Sequence, residues 1–221
     1  MTNSLNGTST YKLWDFGVDD TVRCTNCHAG PTTPAAGTTA DAILAPHASA
    51  NRGILIANYR DRQLKAPTES YSASDFALCY ACHGQAPFEL STDPASLDAT
   101  NFKGTTNAKY GATFQSLHAL HLTRIALQPS GGSSSDIDTA GAGQGDAICA
   151  ECHFRLHSTA QADDPGARSN PRLVNFAPDV TAAGSNAAPI WTTTGTPTGA
   201  GQGSCTLTCH GYVHQNVSYG P

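Results

Sequence analysis

Apolar positions recur with a helical period most clearly between Ala112 and Leu127. There Phe114, His118, His121 and Ile125 fall at i, i+4, i+7 and i+11, a continuous stripe that predicts an α-helix with both histidines on one face. Ser72 to Cys79 predicts a short helix, with Ser72 or Ser74 as its N-cap. Arg172 to Phe176 predicts a short strand. Residues 129–146 and 181–204 are rich in Gly, Ser and Thr and predict loops. Helix content is expected to be low and strand content lower. No run of 18 apolar residues occurs, so no segment has the length of a membrane-spanning helix.

Composition turns this pattern into a problem of folding. Leu, Ile, Val and Phe supply 35 of the 221 residues. That share, about 16%, is below the roughly 20% at which disorder becomes a serious reading. Yet the formal charge of −5 is too modest for disorder, which pairs low hydrophobicity with strong self-repulsion. With 21 Gly and 13 Pro, the chain buries too little apolar surface to offset the entropy of ordering itself. Something besides its own side chains must fill the core. The 12 Lys and Arg form no basic cluster against 17 Asp and Glu, which argues against nucleic acid as a partner.

The eight cysteines supply a candidate. They fall in four pairs, Cys24/Cys27, Cys79/Cys82, Cys149/Cys152 and Cys205/Cys209, and each second Cys is followed directly by His. Three motifs read C-x-x-C-H and the last reads C-x-x-x-C-H. In c-type attachment two thiols add across the vinyl groups of a haem, and the adjacent His reaches the iron. A disulfide framework or four-cysteine zinc sites would not require His at these places. A thioredoxin-like motif needs a βαβ setting that the sequence lacks. With nine His in the chain, chance placement after all four pairs is on the order of three in a million. Four covalently attached c-type haems are therefore expected. A repeat supports the last site: Gly141-Ala-Gly-Gln-Gly145 precedes the third motif and Gly199-Ala-Gly-Gln-Gly203 the fourth, as if backbone approached a flat ligand there.

On this reading His28, His83, His153 and His210 are proximal ligands. His47, His118, His121, His157 and His214 remain as distal candidates. Met1 is the only methionine, so His/Met ligation is unavailable and bis-His iron is expected, a closed site that carries electrons rather than binding substrate. His157 and His214 each follow a proximal His by four residues. On a helix this puts both imidazoles on one face, so each is expected to serve a neighbouring haem rather than its own. His47 sits in an Ala-Pro-His-Ala-Ser segment whose other reading is a surface turn. Five candidates for four irons leave one surplus, or one for another molecule. Haem attachment takes place outside the cytoplasm. Residues 1–7 lack the features of a signal peptide, so a signal is expected to have been cleaved or to lie outside this numbering.

The four motifs, the His118/His121 pair and the segment Cys205-Thr-Leu-Thr-Cys-His-Gly-Tyr-Val-His214 resemble the multihaem cytochromes of metal-reducing microbes. Size, haem count and loop-rich composition resemble most the extracellular tetrahaem cytochromes that polymerise into conductive filaments, the OmcE type. That resemblance implies a single tetrahaem domain over residues 1–221, mostly coil with a few short helices and little strand, wrapped around four closely packed haems. It also implies a non-catalytic homopolymer at the cell surface, with one distal His drawn from the adjacent subunit and redox partners or extracellular acceptors beyond. Hexahaem relatives carry that His before the first motif, whereas residues 1–23 here contain none. The rival readings are a soluble periplasmic shuttle with every ligand in cis and a small reductase with one open iron. In all of them the haems complete the core, and a haem-free chain should fail to fold.

Overall fold

The computed structural model describes residues 9, 11–16, 21–28, 38–39, 49–59, 72–89, 100, 102–104, 116–123, 147–157, 174–194, 202–209 and 212–220. Contacts divide the chain into two compact units, one of Met1–Arg60 with Ser72–Thr100, the other of Asp61–Tyr71 with Asn101–Pro221. The first unit carries the first two Cys pairs and the second unit carries the last two.

In the first unit a short parallel pairing joins β1 (Trp14–Asp15) to β2 (Thr38–Thr39). Helix α1 spans Cys24–Cys27, and a 3-10 turn covers Arg52–Ile54. A second 3-10 turn, Ala73–Phe76, runs straight into α2 (Ala77–Tyr80), followed by α3 (Ala86–Glu89). Ser72 is the N-cap of that composite helix. The Asp75 carboxylate accepts from the Ser72 N–H at 2.7 Å and from its hydroxyl at 3.0 Å, which orders the first turn. Trp14 is fully buried in a core of Leu13, Phe16, Ile56, Leu78 and Ala81, and Cys27 and Cys82 pack against it.

In the second unit α4 covers Leu117–Thr123 and α5 covers Cys149–Cys152. The rest of the expected helix, 112–116 and 124–127, lies outside the described residues apart from Ser116. Three strands follow, β3 (Ile190–Thr194), β4 (Gln202–Cys209) and β5 (Tyr212–Tyr219), in an antiparallel sheet ordered β3-β4-β5. The expectation of loop through 181–204 is thus overturned at 190–194 and 202–204. The reason lies in Ile190-Trp-Thr-Thr-Thr194, β-branched and aromatic residues that fit a pleated surface, and in their pairing with β4. The predicted strand at 172–176 is reduced, among its described residues, to one bridge between Asn175 and His153.

Gly203 explains part of its own repeat. A Cβ there would collide with the Thr192 carbonyl across the β3-β4 pairing and lie 2.6 Å from the Tyr219 hydroxyl. The close approach that this glycine permits in the structure is strand against strand. Tyr219 closes over it and donates its hydroxyl to Thr192 O at 2.8 Å.

Candidate functional site

Three of the four motifs share one backbone form. In each, the His N–H bonds to the carbonyl of the first Cys: His28 to Cys24 O at 2.7 Å, His83 to Cys79 O at 3.0 Å and His153 to Cys149 O at 3.0 Å. Such a turn places the two sulfurs, at i and i+3, and the His at i+4 on one side of the chain. Motifs one and three match closely at their entry. Arg23 (φ −108°, ψ 159°) and Ile148 (φ −106°, ψ 158°) are both extended before the turn begins.

A single helical turn has little stability of its own, and its last carbonyls lack partners within it. Here other segments supply them. Ile56 N–H donates to Cys27 O, and Asn175 N–H donates to Cys152 O, each at 2.9 Å. One residue earlier, Trp14 Nε1–H donates to Asn26 O (2.8 Å), Leu13 and Trp14 N–H share Ala81 O, and Ala177 N–H donates to Glu151 O (2.9 Å). Asn26 is itself buried and accepts from Arg23 N–H at 2.7 Å. Each turn is therefore pinned from outside. The outside partners, Trp14, Ile56, Asn175 and Ala177, carry no sequence signal of the role; only Asn26 and Glu151, inside the motifs, could have been marked.

Two imidazoles are oriented by backbone carbonyls. His28 Nδ1–H donates to Gly53 O at 2.8 Å, and His121 Nδ1–H donates to Leu117 O at 2.6 Å. A carbonyl can only accept, so Nδ1 carries the proton and the lone pair lies on Nε2. That is the tautomer an iron ligand needs. Gly53 (φ 69°) and Ile54 (φ 58°) are both left-handed, and this unusual pair aims the Gly53 carbonyl at His28. Asn51 Nδ2 and the Ser49 hydroxyl both donate to Leu55 O and hold the turn closed.

In the second unit three of the distal candidates, His118, His121 and His214, lie near one another. His118 meets Phe102 edge-on at 4.9 Å between ring centroids, and His121 stacks on the same Phe102 at 5.8 Å. His121 also lies 6.4 Å from His214, with the rings 27° from parallel. His214 Nε2 stands 3.8 Å from Cys209 Sγ. The helical placement expected for His214 and His157 is corrected. His214 is on strand β5, paired with Leu207, while the chain leaves the helix at His153 (φ −125°, ψ 51°) and His157 is exposed. The argument that set each against its own haem therefore lapses. His83 packs edge-on against Phe88 at 5.8 Å. His47 and His210 lie outside the described residues.

The fourth pair differs in form. Cys205, Leu207 and Cys209 alternate along β4, so both sulfurs and buried Leu207 share one face of the sheet. Residues four apart on a strand lie about 13 Å apart along its axis, against about 6 Å for neighbours on a helical turn. Extended β4 thus does not offer one porphyrin the spacing that the other three motifs offer. A register shift between Cys205 and Leu207, with Asn216 left-handed (φ 50°) on the facing strand, bends the ladder at this point.

No disulfide joins any of the eight cysteines. Burial raises the Cys27 thiol above its ordinary value, and the nearness of Cys79 and Cys24 adds to the effect. Cys82 is pushed up to about 12, chiefly by burial and also by the nearness of Cys27 and Cys79, with Lys12 opposing. In the second unit burial raises Cys152 well above the usual range, pushes Cys205 up to about 11 and pushes Cys209 up to about 12. Cys209 and Glu151 add to the shift at Cys152. The first two motifs thus come together in one unit and the last two in the other.

No family model, curated protein or solved structure matches the chain. Among the described residues no helix is long and apolar enough to cross a membrane.

Proposed function

We propose that the chain is a multihaem c-type cytochrome that conducts electrons through bis-His haems in a polymeric filament outside the cytoplasm. The observation that carries the haem reading is the shared turn of the first three motifs, each with its His bonded back to the first Cys. The donor set fits the group: paired cysteines one turn apart with no disulfide between them, an adjacent imidazole, and His28 and His121 with their Nδ1 protons held on backbone carbonyls. When bound, each haem supplies a one-electron iron centre and the apolar surface that the sequence lacks. The protein's share is to pin the turns, orient the imidazoles and exclude water. Cys205 and Cys209 fit only if residues 205–209 leave the extended form, so loading of the fourth site opens the strand there.

Intact mass of the native protein decides the cofactor: four covalent haem additions are expected. Three would confine haem to the helical motifs, and none, or bound zinc, would overturn the reading. The filament rests on the resemblance and on the surplus of distal histidines. Native preparations should show filaments by negative-stain imaging. Dispersed monomers would favour a periplasmic shuttle, and a high-spin ferric EPR signal would favour a reductase.

A further inference from the structure

The second Cys of each helical motif presents its carbonyl to a partner from outside, and the three partners are not alike. At Cys27 and Cys152 the partner is a neutral backbone N–H, from Ile56 and Asn175. At Cys82 it is the Lys12 ammonium, Nζ to O at 2.9 Å. Lys12 is only 8% exposed. Its segment is fixed in place, because Leu13 and Trp14 N–H both donate to Ala81 O and Trp14 is fully buried. The carbonyl it holds belongs to the peptide that joins Cys82 to His83.

Resting on the haem reading above, we propose that Lys12 raises the reduction potential of the haem held by Cys79, Cys82 and His83, making it the favoured resting place for an electron in its unit. Reduction removes one positive charge from the iron centre, so a fixed cation nearby favours the reduced form. Being buried, that cation is poorly screened by solvent. A unit charge about 10 Å away at an effective dielectric of about 20 is worth about a factor of ten in such an equilibrium. The two neutral N–H partners contribute no net charge at the equivalent position. The carbonyls of the first two motifs therefore meet different charges, although the motifs differ in sequence only at the two intervening residues. Lys12 here is a positioning and tuning residue, touching the peptide beside the ligand and not the iron.

The test is a spectroscopic redox titration of the native, haem-loaded protein and of K12Q, K12M and K12R, each first checked by mass for its haem content. The neutral variants should lower one of the four potentials by about 59 mV, the equivalent of tenfold for one electron, and leave the others in place. K12R should keep the wild-type set. Four unchanged potentials in loaded K12Q or K12M would overturn the proposal, as would a K12R shift equal to that of the neutral variants. If the neutral variants lose haem, the wild type itself decides, through the order of reduction resolved by haem-methyl NMR. The haem on Cys79 and Cys82 should be reduced before the haem on Cys24 and Cys27, and the reverse order overturns the assignment. A native protein without covalent haem would instead sink the cofactor reading, a separate outcome read by mass before any titration.

Discussion

At the scale of single residues, the thiols and the turn at Gly53 and Ile54 make distinct demands. A thiol held at about 11 or 12 in the fold stays protonated where its unfolded counterpart, near 9, ionises. The folded state then binds more protons, so the stability these groups contribute is intact below pH 9 and is lost as pH climbs through 11 to 12. A thioether has no such proton. Protein carrying three haems, with Cys205 and Cys209 unmodified, should therefore show a thermal midpoint that falls between pH 9 and 12, beyond any fall seen in the four-haem form. Thermal melts of the two species, separated by mass, check this. Ile54 is β-branched, left-handed and 42% exposed. Asn tolerates that conformation and little apolar burial is lost, so Ile54→Asn should gain about 1 kcal/mol. A rise of about 2–4 °C in the melting midpoint of the loaded protein is the expected readout.

At the scale of elements, the turns, the hairpin and α4 show what the sequence could and could not reveal. The regular Cys-x-x-Cys-His spacing has a regular counterpart in the fold, one turn in which each His N–H bonds back to the first Cys carbonyl. The His118/His121 stripe was equally legible, since α4 keeps both residues against Phe102. The sheet was hidden because Gly and Thr dominate 190–206, and those residues read as loop until pairing partners are known. Its closure depends on cross-strand contacts such as Tyr219 over Gly203, separated by 16 positions in the chain. Gly203→Ala should accordingly cost about 2 kcal/mol, since the added methyl meets the Thr192 carbonyl and the Tyr219 ring, and neither can withdraw freely. Chemical denaturation of the loaded variant measures it; a loss under about 0.5 kcal/mol would mean that β3 is not held against β4 in solution.

At the scale of the whole molecule, the described cores are small. Leu13, Trp14, Phe16, Ile56, Leu78 and Ala81 make up the first unit's cluster, while the second unit has separate groups around Leu117 with Tyr219 and around Leu207. Cysteines border every one of these clusters, which puts any attached group at the edge of each core. Calorimetry of chains produced without haem attachment should show no cooperative transition. A sharp endotherm close to that of the native protein would show that the side chains suffice alone.

Strands Gln202–Cys209 and Tyr212–Tyr219 are joined by neighbouring residues only, and hairpins of this kind close in about 1–10 μs. On the haem reading proposed above, attachment at Cys205 and Cys209 has to compete with that closure. The fourth motif is thus in a race that the first three do not run, because their turns are completed by distant partners and stay open longer. Occupancy at Cys205 and Cys209 becomes a matter of timing as much as of affinity. Val217→Gly, which weakens the pairing opposite Cys205 without touching a thiol or an imidazole, should raise the share of chains carrying four haems. An unchanged ratio of three-haem to four-haem mass would show that the strand imposes no such delay.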